Sequence, residues 1–177
     1  MRCTRSVVRP LADCSSKVPL VQTKAFGFAG FKGLRQLKQF RVQKTEEQWL
    51  HDLGQDRYNI MRQGGTETPG TGKYEDFYPV EGFFRCAACC YPLYLAIHKT
   101  PSSTGWPSFE QEIRSELTGS HIGTQPDFGD IEAHCGNCGG HLGHIFIGQG
   151  CGATPERHCI NSTSLLYDGG ALESLQE

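Results

Sequence analysis

The feature that most constrains this chain is a pair of cysteine knuckles, Cys86-Ala-Ala-Cys89 and Cys135-Gly-Asn-Cys138. Two residues between thiolates let one tight turn aim both sulfurs at a common point. Two such turns complete a tetrahedral site of four cysteine sulfurs. A single Cys-x-x-Cys also suits a redox dithiol, but two in one small domain point to one structural zinc per chain. The other readings are two disulfides or four unligated buried thiols. The 45 residues between Cys89 and Cys135 exceed a single zinc finger, so the metal must clip distant strands together. With four cysteine ligands it keeps no open position, and any chemistry lies elsewhere.

The rest of the chain reads as a turn-rich, mainly β domain. Its 22 glycines and 9 prolines argue against a helical bundle. No apolar run approaches the roughly 18 residues of a membrane-spanning helix. At 177 residues there is room for one ordinary domain and a short appendage.

Charge divides the chain in two. Residues 1–45 hold ten Lys and Arg against one acid, Asp13, a net of +9. Residues 46–177 hold seven Lys and Arg against eighteen acids, a net of −11, and all seven histidines. An acid-poor leader with spaced Arg2, Arg5 and Arg9 among hydroxyl residues predicts an organelle transit peptide over 1–44. A nucleic-acid-binding arm is the competing reading; the acidic body opposes it, because a phosphate-facing surface wants the opposite sign. The domain proper is expected over 45–170, followed by a frayed tail, 171–177.

Thr45-Glu-Glu-Gln48 matches a capping box, so a short helix should follow with Trp49, Leu50 and Leu53 on its buried face. A second helix, about 55–62, offers Tyr58, Ile60 and Met61 before Gly64-Gly65. Residues 66–78 should form an ordered loop. Strands are expected over 82–86, 93–97, 109–113, 131–135, 141–147 and 158–166.

The remaining cysteines sort by chemistry. Cys3 and Cys14 belong to the leader, and Cys90, beside a knuckle, reads as a small packed residue. Cys151, in Gly148-Gln-Gly-Cys-Gly152, is an incidental thiol or a redox partner. Cys159 stands in Arg157-His-Cys-Ile-Asn-Ser162, where a fixed positive charge and an amide favour thiolate, the nucleophilic form. His141 and His144 follow the second knuckle at a spacing that puts their rings on opposite faces of a regular strand. Gly143 should therefore bend the chain. Placed against a thiolate, the pair can supply a proton to a departing oxygen. Trp106, in Thr104-Gly-Trp-Pro-Ser-Phe109, offers a core aromatic or a wall for an apolar ligand, its N–H left available.

Together the pieces resemble the methionine-R-sulfoxide reductase (type B) family over roughly 45–167. They are Arg62-Gln-Gly-Gly-Thr-Glu-Thr-Pro-Gly-Thr-Gly-Lys-Tyr74, Phe84-Arg-Cys-Ala-Ala-Cys89, Pro92-Leu-Tyr94, the Thr104–Phe109 stretch, Cys135-Gly-Asn-Cys-Gly-Gly-His-Leu-Gly-His-Ile-Phe146 and Arg157–Ser162. The Pro-Gly-Thr-Gly-Lys-Tyr run and the Arg-His-Cys ending resemble the plant and algal branch, which favours the chloroplast over the mitochondrion. The resemblance implies two small antiparallel sheets clipped by a zinc on four cysteines, with short N-terminal helices. It implies thiol-dependent reduction of methionine-R-sulfoxide, free or in proteins, and hence repair under oxidative stress. Cys159 would attack the sulfoxide sulfur and become a sulfenic acid, with His144 or His141 donating the proton. Trp106, with Phe109, would bind the substrate's methyl end, while Arg157 and Asn161 position and polarise the site. Oxidised proteins or peptides would be substrates and thioredoxin or glutathione/glutaredoxin the reductant, with a monomer acting away from membranes and nucleic acid.

Three departures stand out. Thr104 occupies the position where many members carry a resolving cysteine, which leaves Cys151, eight residues before Cys159, as the candidate. Asp130 replaces a basic residue, and Ile147-Gly148 stands where an acid often follows His-x-x-His-x-Phe, though the plant-like branch also lacks it. The alternative to an enzyme is a non-enzymatic zinc-stabilised module that binds a ligand against Trp106.

Overall fold

The computed structural model describes residues 40–150 and 154–172. The expected transit peptide, the tail beyond Ala171-Leu172 and Cys151 fall wholly or largely outside them. Among the described residues no helix is long and apolar enough to cross a membrane.

Helix α1 (Glu46–Leu53) starts at the expected capping box: the Thr45 hydroxyl accepts from the Gln48 amide, and the Gln48 side chain accepts from the Thr45 amide. Trp49 is buried, but Leu50 is 39% exposed and lies off the buried face, because α1 packs through a narrower stripe than expected. Gly54, with φ 72°, ends α1 and opens α2 (Gln55–Met61), whose Met61 is buried. The compact unit begins at Phe40, and the Val42 amide donates to the Asn137 carbonyl in the second knuckle at 3.1 Å.

The strands are β1 (Phe83–Cys86), β2 (Pro92–Leu95), β3 (Lys99–Thr100), β4 (Ser108–Phe109), β5 (Arg114–Ser115), β6 (Gly119–Ser120), β7 (Ile122–Asp127), β8 (Asp130–Cys135), β9 (His141–Ile147), β10 (Glu156–Ile160) and β11 (Leu165–Asp168). They form a three-stranded sheet, β11-β1-β2, a six-stranded sheet, β3-β4-β10-β9-β8-β7, and a two-stranded ribbon, β5-β6. Every strand pair is antiparallel. The mainly β fold with antiparallel sheets and short N-terminal helices is as expected, with the ribbon added.

Three expectations about strands change. The segment 158–166 is two strands broken by a 3-10 turn at Ser162–Ser164. The strand expected over 109–113 is only Ser108–Phe109. Strand β7 was not expected, since Gly123 and Pro126 interrupt its pattern; pairing along all of β8 holds it. The core lies between the two larger sheets, where Phe84, Tyr94, Phe109, Leu142 and Ile160 are wholly buried.

Candidate active site

The two knuckles repeat one local design. The Cys90 amide donates to the Cys86 carbonyl at 2.8 Å, and the Gly139 amide to the Cys135 carbonyl at 2.8 Å. Both fifth residues have left-handed backbones, φ 59° at Cys90 and 71° at Gly139. The turns bring the sulfurs of Cys86, Cys89, Cys135 and Cys138 within 4.8 Å of one another. Cys86 Sγ lies 3.7 Å from Cys138 Sγ, and Cys89 Sγ 3.6 Å from Cys135 Sγ. A tetrahedron of about 2.3 Å bonds requires edges of about 3.8 Å, so the four sulfurs fit a metal ion. Burial with neighbouring sulfurs holds Cys86 and Cys135 above the usual thiol range, while hydrogen bonds from those sulfurs pull Cys89 below it. A cation held there would resolve that conflict by stabilising all four thiolates. Asn137, between the second pair, donates to Cys89 Sγ at 3.5 Å.

The face that carries Cys159 is built from the second knuckle onward. Strand β9 pairs with β8 until the register slips between Ala133 and His134, where His134 faces His141 and Ala133 faces Gly143. Leu142 is thus the extra residue of a bulge, and Gly143 takes φ 156°. The bulge brings the His141 and His144 rings to 5.5 Å, which is the bend expected of Gly143. Beyond it, His144 pairs with Cys159 and Phe146 with Arg157 across β9 and β10. Directly opposed residues in an antiparallel pair share a face, so thiol and imidazole stand side by side. The other face of β10 turns His158 and Ile160 into the core.

A cavity of about 130 Å³ opens on this face, lined by Thr66, Trp106, Gly143, His144, Phe146, Cys159 and Asn161. Its floor is the partly exposed Cys159, with Thr104 Oγ1 3.9 Å from the sulfur. Trp106 forms a wall, but its N–H is not left available: it donates to the Glu67 carbonyl at 3.1 Å and so fixes the ring. The Asn161 side-chain amide donates to the Leu142 carbonyl, and its oxygen accepts from the Glu67 amide, both at 3.0 Å. Glu67 is therefore a hub. Its carboxylate also accepts from the Ser162 and Thr163 amides, at 2.6 and 2.9 Å, tying the 66–78 loop over the site.

Each histidine has a carboxylate. His141 Nδ1 lies 2.8 Å from Glu132 Oε1 in a buried pair, and His144 Nε2 lies 2.9 Å from Asp127 Oδ2 nearer the surface. Burial works against ionisation of Glu132, yet hydrogen bonds from His141 and Gln125 prevail and hold it down to about 2.

The structure thus gathers Cys159, His144, Trp106 and Asn161 around one cavity, with His141 behind His144. Arg157 lies outside the lining, its guanidinium 4.7 Å above the Phe146 ring and 2.7 Å from Gln149 Oε1. Phe109 does not line the cavity; it is wholly buried, stacked on Tyr94 at 4.2 Å. Glu67, Asp127 and Glu132 were missed, since acids of ordinary type far apart in sequence carry no motif of their own.

The sequence matches the SelR domain over residues 53–169. The chain belongs to the SelR family. Peptide methionine sulfoxide reductase B3 of Arabidopsis thaliana is 46% identical over 132 residues, covering 73% of this chain and 72% of the relative. Peptide methionine sulfoxide reductase MsrB of Methylibium petroleiphilum is 38% identical over 128 residues, 72% of this chain and 91% of the relative. An uncharacterized protein of Schizosaccharomyces pombe is 44% identical over 140 residues, 75% of this chain and 96% of its own. These relatives bear out the resemblance read from the motifs and the enzyme class that came with it, an oxidoreductase of the type B methionine sulfoxide reductases. In this SelR chain the match runs from the end of α1 through β11 and takes in both knuckles and the whole cavity.

Proposed function

We propose that the chain reduces methionine-R-sulfoxide, in oxidised proteins and peptides and as the free amino acid, with Cys159 as nucleophile. One observation carries the reading: the Cys159 thiol, an imidazole held by a carboxylate and a fixed indole converge on a cavity sized for one side chain. The Cys159 thiolate attacks the sulfoxide sulfur while His144 delivers a proton to the oxygen. The hydroxyl then passes from the substrate sulfur to Cys159 Sγ as the sulfur–oxygen bond and the transient sulfur–sulfur bond break, so methionine leaves as the thioether and Cys159 is left as a sulfenic acid. Substrate sulfur gains two electrons and Cys159 loses two. Trp106 takes the methyl end; selection of the R form comes chiefly from presenting the oxygen to His144. Asn161 fixes the turn behind the nucleophile, and Arg157 shields the Phe146 side.

A thiol then condenses with the sulfenic acid, releasing water and forming a disulfide that a second thiol reduces. Thr104 beside Cys159 cannot form that disulfide. The thiol is therefore Cys151 or that of the reductant, thioredoxin or glutathione/glutaredoxin. The four knuckle cysteines hold zinc, which supplies rigidity and takes no part in the reaction. The basic leader serves organelle import, to the chloroplast by analogy with relatives of rice and Arabidopsis thaliana whose names say chloroplastic. This is a repair activity against oxidative damage.

The test supplies the two sulfoxide diastereomers separately with a dithiol reductant. The R form is reduced and the S form is not, and Cys159→Ser abolishes turnover with an unchanged melting temperature. A Cys159→Ser protein that still releases methionine at the normal rate overturns the mechanism. So does a wild-type protein that binds the R-sulfoxide without reducing it, which is the behaviour of a binding module.

A further inference from the structure

We infer that Asp127 is the positioning residue for His144 and its route of proton resupply; the inference rests on the function proposed above. Each sulfoxide reduced by a thiolate consumes one proton, so the donor imidazole must be recharged between turnovers. Asp127 ends β7, and Phe128 and Gly129, with φ of 44° and 103°, form the two-residue turn that reverses the chain into β8. That turn presents the Asp127 carboxylate to His144 Nε2 at 2.9 Å, with side-chain exposures of 39% for the acid and 26% for the ring. The ring thus lies between the cavity it lines and a carboxylate open to water.

The neighbouring pair makes the contrast. His141 and Glu132 have side-chain exposures of 5% and 10%, so that pair is shut away from the water that reaches Asp127. It fixes a ring; Asp127 can also pass a proton. The position after His-x-x-His-x-Phe carries Ile147-Gly148, so β9 provides no acid of its own. The adjacent hairpin provides it from seventeen residues upstream of His144. In this chain the carboxylate belongs to a different strand from the imidazole it serves.

The experiment follows methionine release over successive turnovers with a saturating dithiol reductant, for the wild type, Asp127→Asn, Asp127→Ala and Cys159→Ser. The Asn side chain is the same size and still accepts from Nε2–H, but it carries no proton. It should lower the rate constant about tenfold with little change in the substrate concentration at half-saturation. Asp127→Ala should lose at least as much, and formate added to the buffer should restore part of its rate, which a purely structural role would not allow. Wild-type rates in both variants overturn the inference. So does a loss confined to half-saturation, or one that formate does not relieve. Methionine release by Cys159→Ser would instead overturn the reading of the site itself.

Discussion

A methyl group on Gly143 would sit 2.0 Å from the Cys159 carbonyl oxygen, on backbone that cannot move without parting β9 from β10. Gly143→Ala should therefore cost about 1–3 kcal/mol of stability. It should also lower activity more than stability alone explains, because the same bulge aims His144. Thermal melts and initial rates on one preparation check it; an unaltered melt would show that the bulge is not the constraint. At this scale the sequence was informative wherever chemistry needs a rare residue type. Cys159, His144 and Trp106, which line one cavity, stood out in the sequence because a thiol outside the knuckles, a histidine pair and a tryptophan in a Gly-Trp-Pro turn are each uncommon. Phe109 was misplaced because an aromatic beside a site residue looks the same whether it faces ligand or core. On β4 the alternation of faces sends it inward against Tyr94. Trp106 was assigned a spare N–H because its partner is a backbone carbonyl 39 residues away, which no side-chain pattern reveals.

Strand β10 carries the Cys159 thiol on one face and a wholly buried histidine on the other. Burial pushes His158 below its ordinary 6.5, despite the opposing hydrogen bond that its ring donates to Glu156, and burial does the same to His121. Both groups bind protons more readily in the unfolded chain, so stability is fully present above about pH 6.5 and falls as pH drops through their lowered values. A second loss follows between 4.5 and about 2, where Glu132 takes up its proton in the unfolded chain first. Melting temperature measured against pH should show the histidine limb first; a flat profile from pH 7 to about 5 would contradict the burial of these rings. Elements were legible where one local rule was enough, as in the capping box of α1 or the apolar run of β9. Strand β7 was not, since its interior Gly123 and Pro126 are tolerated only through long-range pairing with β8.

Cys86 ends a strand of the three-stranded sheet and Cys135 ends one of the six-stranded sheet, so an ion held by the four cysteines would rivet the two layers that enclose the core. Stripping the ion with a chelator should unfold the domain rather than silence a folded enzyme, and adding zinc back should restore both fold and activity. Circular dichroism with metal analysis reads this; a metal-free protein with the native spectrum and melt would overturn the assignment. The bridged cysteines stand 46 and 52 residues apart. Contacts that distant are the slow part of assembling a β protein, because a long stretch of polymer must be closed before any pairing rewards it. An ion captured early ties that stretch into two short arms, and the layers then need only find each other across a knot already made. With zinc in the proposed site, the pace at which newly made chains become competent would follow how quickly the cell hands them the ion, a supply problem rather than a problem of packing.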